Sequence, residues 1–597
     1  MDILIDKIRI KNFRALKDIE INLKPVTILV GANNSGKTTL LRALNSVLGI
    51  TRSQINQDDL FVDKEGNKSS NEITIDVRII SVDENGVQIK HFDSKWSSKL
   101  GVGIQTDDEN EFFAFRTKYL FGIDDVPTIS YYLFSNWDSE QLKDDEFKGM
   151  NQLRNNIKMF FIDAQRDILE DSKQRTSFFG KLVSQLDYGE KLDEMKQQIT
   201  VLNNNAINES PVLKHLKEEL KKLNQTTQTK GEGVSLNPFP KKLSDLHKGM
   251  KVYFQDAESD AFSMENHGMG TRSWASIITA GAFSSWQLQQ IDKKIDKGED
   301  TELLFPIFAL EEPEAHLHPN AQRTLYKQLK GFKGQKIVST HSPYIAGQAE
   351  LDELRHFYKE GDASTVSEID LSILDDKEIL RIKESIYSSK GDILFSNLVV
   401  MSEGKTEDIL LPVFAKAYFN QPAFELGVDF IATGKYYPLL TLFRFLRTKW
   451  LIFSDYDKPD VKSTLKDVLR KNMIPNLDNI VVLNNEVSQM DIEEYLFEAG
   501  YVHELKDTIK KLKTPEYKNE QHKQAKQGEL QQIYSEIDGY TKEQILIEIR
   551  HWKTKAARIY GELILKRTEA DNKFPPKIRE LFEKISEQLN IKQSTDE

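Results

Sequence analysis

Apolar and polar residues alternate along "IDKIRIKNF" and again along "DIEINL", the period of a half-buried strand, while "VTILVG" reads as a fully buried one. A helix is predicted from about Lys37 to Leu48, and "NEITIDVRIISV" is another strand. Residues 85–150 mix acidic and aromatic side chains without a period that orders them. "KMFFIDAQRDI" reads as a strand running into a loop. Residues 170–225 have a helical period but too few apolar positions for a core of their own. They are read as a helical insertion, either a dimer contact or an arm, with a plain solvated helix an equally good account. "NQTTQTKGEGVSLNPFP" is a loop by composition. "LLFPIFALEEPEAHLHP" and "KIVSTHSP" are strands that end in polar, chemically active residues, and residues 350–395 read as a charged connector.

A different pattern follows. "NLVVMSEG", "VDFIATGK", "WLIFSDYD" and "NIVVLNN" are short apolar strands separated by helical stretches, which argues for a parallel sheet. The basic tract "KDTIKKLKTPEYKNEQHKQAKQGEL" is read as a helical insertion or mobile segment. It could meet nucleic acid, although a solvated charged face is the commoner explanation. The chain is therefore expected to be α/β, divided as 1–165, a helical insertion with a dimerisation role at 166–240, 241–390, and a last domain at 391–597.

Composition narrows the picture. A chain of 597 residues exceeds one ordinary core. With 39% hydrophobic and 29% charged residues it is globular in type, and its apolar runs are too short to span a bilayer. The start "MDILIDKIRI" lacks the pattern of a signal peptide. There is no cysteine, which excludes disulfides, argues against a zinc ribbon and fits a cytoplasmic setting. The net charge of −12 argues against a uniformly basic coat for nucleic acid, though not against a local basic channel.

"GANNSGKTT" fits the phosphate-loop pattern from Gly31 to Thr38, after a strand and before a helix. Gly31, Asn34, Ser35, Gly36, Lys37, Thr38 and Thr39 are the candidate ATP-binding residues. The glycines let backbone N–H groups wrap phosphates, Lys37 reaches the outer phosphates, and the Thr38 hydroxyl suits Mg²⁺. In "IFALEEPEAHLHP" a buried strand delivers Glu311 and Glu312 to its C-terminal edge, where ligands bind in open α/β sheets. Glu311 could hold Mg²⁺ through water, and Glu312 could orient or deprotonate an attacking water. His341 follows another strand in "KIVSTHSP".

Together these motifs resemble the ABC-type ATPases of the SMC and RecF kind, whose composite sites form between two heads. The resemblance makes His341 a switch histidine and "EAHLHP" a D-loop region. "HGMGTRS" resembles a degenerate signature motif, in which Gly268 and Gly270 present N–H groups to the partner's nucleotide. Glu311 stands where the family usually has Asp. "INQDDLF" is a candidate Q-loop, through Gln57 or Asp59. A homo-oligomer, dimer or tetramer, is implied.

"SEGKTED" also contains GKT, but Val399 stands where a phosphate loop needs its first glycine, and Glu403 would repel a triphosphate. The acids carry a different chemistry. Glu403 ends one apolar strand and Glu407 follows at the start of a helix. Asp455 and Asp457 end the strand of "WLIFSDYD", and "SQMDIEEYLF" adds Asp491, Glu493 and Glu494. Like charges gathered at successive strand ends repel unless a cation neutralises them. Oxygen-only ligation suits Mg²⁺ or Mn²⁺, and two such ions could activate water and stabilise a leaving oxygen.

This constellation resembles a Toprim domain, and an ABC-type ATPase followed by Toprim resembles the OLD (overcoming lysogenization defect) family. The resemblance implies that Glu403, Glu407, Asp455, Asp457, Asp491 and Glu493 are catalytic metal ligands. It matches Gly434 to the glycine after the second Toprim strand, and it implies a transition-state lysine, for which "WKTKAARIYGELIL" offers Lys555, with Lys553 competing. The implied activity is an ATP-regulated, metal-dependent DNA endonuclease. The family includes anti-phage effectors such as the Gabija nuclease subunit and retron-associated nucleases. Its possible partners are then DNA, a helicase-like subunit, or a reverse transcriptase with its DNA–RNA product. The other reading is an ATP-driven DNA-binding or scaffold ATPase with a non-catalytic Toprim domain. Topoisomerase and primase chemistry are disfavoured, lacking a separate DNA-gate domain and zinc ligands.

Overall fold

The computed structural model describes residues 2–50, 52–122, 125–164, 192–214, 253–254, 262–263, 268–299, 301–389, 391–433, 436–455, 477–483, 490–514, 527–567 and 573–591. It divides into two compact units, residues 1–366 and 367–597. The sequence reading set the last division near 390.

The first unit is built on two sheets. Its six-stranded sheet runs in the order Ala363–Ser367, Leu354–Glu360, Val26–Gly31, Gln335–Ser339, Phe305–Glu311, Ile157–Ile162. The last five of these pair in parallel. Val26–Gly31 and Gln335–Ser339 are buried along their whole length, as expected for strands covered on both faces. The stretch read as a charged connector contributes Leu354–Glu360, which lies directly beside the phosphate-loop strand. Its sequence, "LRHFYKE", carries too many charges to look buried, yet Leu354 and Phe357 are in the interior.

The second sheet is antiparallel, ordered Leu16–Asn22, Ile3–Phe13, Glu72–Ser81, Asn110–Leu120, Thr128–Asn136, Gln141–Glu146, with Ile104–Asp107 also on Asn110–Leu120. Residues 85–150, which no sequence period ordered, thus supply four of its strands. Their hairpin turns on Asp108 and Glu109, both at positive φ, between paired Asp107 and Asn110. A two-residue turn of this kind is usually signalled by Asn-Gly or Asp-Gly, and that signal is missing here. The helix Lys37–Leu48 touches strands of both sheets. Its Leu40, Leu41 and Leu44 share one core with Ile8, Ile75, Ile307 and Ile337.

The second unit has a four-stranded parallel sheet ordered Val428–Ala432, Leu398–Ser402, Lys449–Ser454, Ile480–Val482. The helix Lys405–Phe419 follows the second of these in space and holds Pro412 in its interior. A proline there removes one backbone hydrogen bond and costs about 3 kcal/mol, which the burial of Leu410, Leu411 and Phe414 offsets. The helix Val502–Lys513 buries Leu505, Thr508 and Ile509. The first part of the basic tract is therefore a core helix, its apolar residues four apart; residues 515–526 lie outside the described residues.

Candidate functional sites

The first site lies at the C-terminal edge of the six-stranded sheet. Glu311 is in register with Ser339, and Ser339 with Leu29. The Glu312 N–H donates to the Ser339 carbonyl (3.0 Å) and the Thr340 N–H to that of Leu29 (3.1 Å). The phosphate loop, the acidic pair and the His341 loop therefore leave the sheet side by side.

The loop itself is held by backbone constraints. Gly31 has φ +136°, and a Cβ there would collide with the Phe357 carbonyl oxygen, so only glycine fits. Gly36 is left-handed and Asn34 has φ +61°. The N-terminus of the helix Lys37–Leu48 has no side-chain cap, leaving its first N–H groups and its dipole for an anion. Lys37 is buried, and its Nζ donates to the carbonyls of Gly31 and Ala32, both at 2.8 Å. Burial pulls its ammonium down to about 8, partly offset by Glu312 and Glu314. The Thr38 hydroxyl donates to Glu311 Oε1 at 2.5 Å, so the two groups expected to hold Mg²⁺ already touch. Ser35 is buried, Asn34 exposed and Thr39 half-buried.

His341 Nε2 stands 3.8 Å from Glu312 Oε1, and burial followed by the Lys37 charge lowers its basicity. A group the sequence reading passed over organises this corner. Glu314 Oε1 accepts from Thr340 Oγ1 (2.8 Å) and from the N–H groups of His341 (2.7 Å) and Ser342 (3.1 Å). In the sequence it is one of three acids in "EEPE", with nothing to set it apart from Glu311 and Glu312. Gly268 is exposed at the start of the helix Met269–Asp296. Gly270 is buried against its own chain's His316 carbonyl, where a Cβ would collide. Asp59 caps a short turn and pairs with Arg14 Nε at 2.6 Å.

The second site lies at the C-terminal edge of the four-stranded sheet. Ser402 is in register with Phe453, so the next residues, Glu403 and Ser454, are neighbours, and Ser454 Oγ donates to Glu403 Oε1. Asp455 follows and is buried. Glu407 sits in the first turn of the helix Lys405–Phe419 with 1% of its surface exposed. Gly404 makes room for it: a Cβ there would meet Glu407 Oε2. Burial, then the charges of Glu493 and Glu403, push Glu407 up to about 7. Glu493 is also raised, by burial and then by Asp491, and its Oε1 accepts from Thr406 Oγ1 at 3.3 Å.

Asp491, one of the expected ligands, has a partner within the protein for each oxygen. Its Oδ1 accepts from the Glu494 N–H (2.9 Å), capping the helix Ile492–Glu498, and its Oδ2 accepts from Arg550 Nε (2.7 Å). Lys555 is exposed near the start of the helix Thr554–Ile564, its Nζ over the Trp552 ring at 5.8 Å. Asp457, Gly434 and Arg166 lie outside the described residues.

Among the described residues no group of three acidic or histidine side chains is already drawn up to hold a cation. The donor set nevertheless fits one. It is all oxygen, and Glu407 Oε2 is buried without a hydrogen-bond partner, which a divalent ion would satisfy. Two tyrosines unremarked in the sequence border the acids. Tyr436 is buried beside Ser454 and Glu403, and Tyr560 is buried under Glu493 and Glu407.

Known proteins divide along the same lines. Residues 4–346 match the family model described as AAA ATPase domain, and residues 394–457 match that of the overcoming lysogenization defect protein-like TOPRIM domain. A protein named OLD nuclease from Thermus scotoductus is 25% identical over 72% of this chain and 76% of its own length. Endonuclease GajA from Bacillus cereus is 25% identical over 71% of this chain and 69% of its own. Among solved structures, the C-terminal region of the Burkholderia pseudomallei OLD protein aligns with 33% of this chain and 99% of that one, at 17% identity and a TM-score of 0.24. So loose a likeness adds nothing to the topology above. The chain belongs to the AAA ATPase domain family, and behind that ATPase it carries an OLD-like TOPRIM domain.

Proposed function

We propose that this protein is an ATP-regulated DNA endonuclease that cuts phosphodiesters, by nicking or double-strand cleavage, at a divalent-metal site in its TOPRIM domain. One observation carries the reading: Glu403 and Glu407, Asp455, and Glu493 come from three segments of the chain to one sheet edge, and Glu407 is buried there without a counter-charge. Structure alone gives little reason to keep such a group, because a buried unpaired carboxylate costs several kcal/mol. The names OLD nuclease and Endonuclease GajA support it from the side of the relatives.

When bound, Mg²⁺ or Mn²⁺ would supply the positive charge that lowers the pKa of a water and steadies the leaving oxygen. Glu403, Glu407, Asp455 and Glu493 would hold it, with Asp457 completing the set. Ser454 fixes the Glu403 carboxylate through its hydroxyl. Lys555, which has no carboxylate partner among the described residues, is free to meet a scissile phosphate. In the ATPase, Lys37 neutralises the outer phosphates, Thr38 and Glu311 hold the nucleotide's cation, and Glu312 orients the attacking water beside His341. A homo-oligomer, dimer or tetramer, would complete the ATP sites. An anti-phage role, with a helicase-like subunit or a reverse transcriptase and its DNA–RNA product as partner, follows from the family resemblance. No helix among the described residues is long and apolar enough to cross a membrane.

The second reading is an ATP-driven scaffold with a silent TOPRIM domain, in which burial alone keeps Glu407 protonated. Plasmid incubated with Mg²⁺ or Mn²⁺, with and without ATP, separates the two. Metal-dependent cleavage lost in Glu403→Ala supports the nuclease; identical behaviour of wild type and variant across metals and nucleotides defeats it.

A further inference from the structure

The helix Thr554–Ile564 packs on the helix that carries Glu407, close enough that a Cβ on Gly561 would press on Leu410. The residue before that glycine, Tyr560, has none of its surface exposed, and its hydroxyl has no hydrogen-bond partner. Its ring fills the second unit's core among Leu410, Ile545 and Ile564, a task phenylalanine would perform as well. Burying a hydroxyl unpaired costs about 1–3 kcal/mol, so packing alone does not explain it.

The charges acting on that hydroxyl are those of Glu493, Glu407, Asp491 and Asp455, which come from three segments of the chain. A tyrosine hydroxyl carries its proton at neutral pH, and burial raises its pKa further, so it can give a hydrogen bond to an oxygen. Glu407 Oε2 is a buried acceptor, also without a partner. An orphan donor thus lies in the same buried region as an orphan acceptor. A carboxylate that turns one oxygen to a cation needs its other oxygen held, and outer-sphere hydrogen bonds of that kind tune metal affinity.

We propose that Tyr560 is a positioning residue of the acidic site, its hydroxyl donating to the Glu407 carboxylate when the site is loaded and fixing that ligand toward the cation. This rests on the metal-site reading above.

The test uses the full chain, free of nucleotide, as wild type, Tyr560→Phe and Glu407→Ala. Mn²⁺ binding is measured by titration calorimetry or by the Mn²⁺ paramagnetic resonance signal, and thermal unfolding is followed in chelator and in Mn²⁺. The expected result is that Tyr560→Phe unfolds in chelator at the wild-type temperature or above, since it loses only an unpaired hydroxyl. Its Mn²⁺ affinity falls about tenfold, about 1.4 kcal/mol, and it gains less stability from Mn²⁺ than wild type. Wild-type Mn²⁺ affinity in Tyr560→Phe, with binding lost in Glu407→Ala, overturns the role of the tyrosine and leaves the metal site standing. Unfolding of Tyr560→Phe several degrees lower in chelator also overturns it, by giving the hydroxyl a structural partner. Unchanged binding in both variants removes the metal site and this proposal with it.

Discussion

The two sheet edges hold acids and a phosphate-loop look-alike in similar places, yet they are stabilised in opposite ways. At the ATPase edge the reactive groups have partners within the protein: Lys37 on two carbonyls, Thr38 on Glu311, and Glu314 on three donors of the His341 loop. At the TOPRIM edge, carboxylates face carboxylates, and Glu407 Oε2 and the Tyr560 hydroxyl have no partner. The first edge is a socket assembled before its ligand arrives. The second stores repulsion that a cation would relieve. Removing a group should therefore weaken the first region and relax the second.

The largest effect is expected at Lys37. Lys37→Ala should abolish measurable ATP binding by calorimetry, since it removes the positive charge that the loop itself offers the phosphates; wild-type affinity would remove the nucleotide site from the comparison. Next comes Gly31→Ala, which forces a Cβ onto the Phe357 carbonyl at φ +136°. It should cost more than about 2 kcal/mol in denaturant unfolding of the first unit. Gly404→Ala, by contrast, meets only the far end of the Glu407 side chain, so a loss of equal size would show the second edge to be as rigid as the first.

Glu407→Gln should have the opposite sign. In chelator it should stabilise the protein by about 1–3 kcal/mol at neutral pH while cleavage is lost. The pH dependence follows from the same group. Its folded value, about 7, lies above the ordinary 4.5, so the folded state holds the proton more tightly. That stabilisation is complete below about 4.5, is lost as pH rises through about 7, and is flat above. Unfolding of the metal-free protein between these limits should show the slope in wild type and a much smaller one in the variant. A destabilised Glu407→Gln would mean that the charge is paired.

A smaller effect is expected at Glu314. Glu314→Ala strands three donors, so steady-state ATP hydrolysis should fall about tenfold in kcat with KM little changed; an equal rise in KM would place Glu314 on the nucleotide instead. The smallest belongs to Asp491. Asp491→Asn keeps the helix cap and loses the pairing with Arg550, at about 0.5–1 kcal/mol, and Mn²⁺ affinity should stay at the wild-type level. A tenfold loss would return Asp491 to the ligands.

How much of this was legible depended on whether a function leaves a local pattern. The phosphate loop and the acids after apolar strands are contiguous, so "GANNSGKTT", "FALEEPE" and "WLIFSDYD" announced both edges. Tyr560 carried no such mark: in "AARIYGELIL" it is one more core position, and only burial beside acids from distant segments singles it out. Glu314 was hidden by its neighbours, since nothing in "EEPE" says which carboxylate turns toward nucleotide and which toward backbone. The strand Leu354–Glu360 looked like a connector because Arg355, His356, Lys359 and Glu360 make most of it polar, although Leu354, Arg355 and Phe357 are buried. Asp491 shows the converse difficulty: an acid at a ligand's spacing can also be the residue a helix start requires.

The seating of Gly270 on the His316 carbonyl has a mechanical consequence. The helix that begins there runs for 28 residues, about 42 Å at 1.5 Å per residue. Its near end rests on the loop that follows Glu312, without a side chain to cushion the contact. The same helix is braced farther along, where Gly281 sits against the Phe332 ring and Ile295 packs on the first unit's core, so a shift of the loop after Glu312 meets a rod held at several points rather than a loose end.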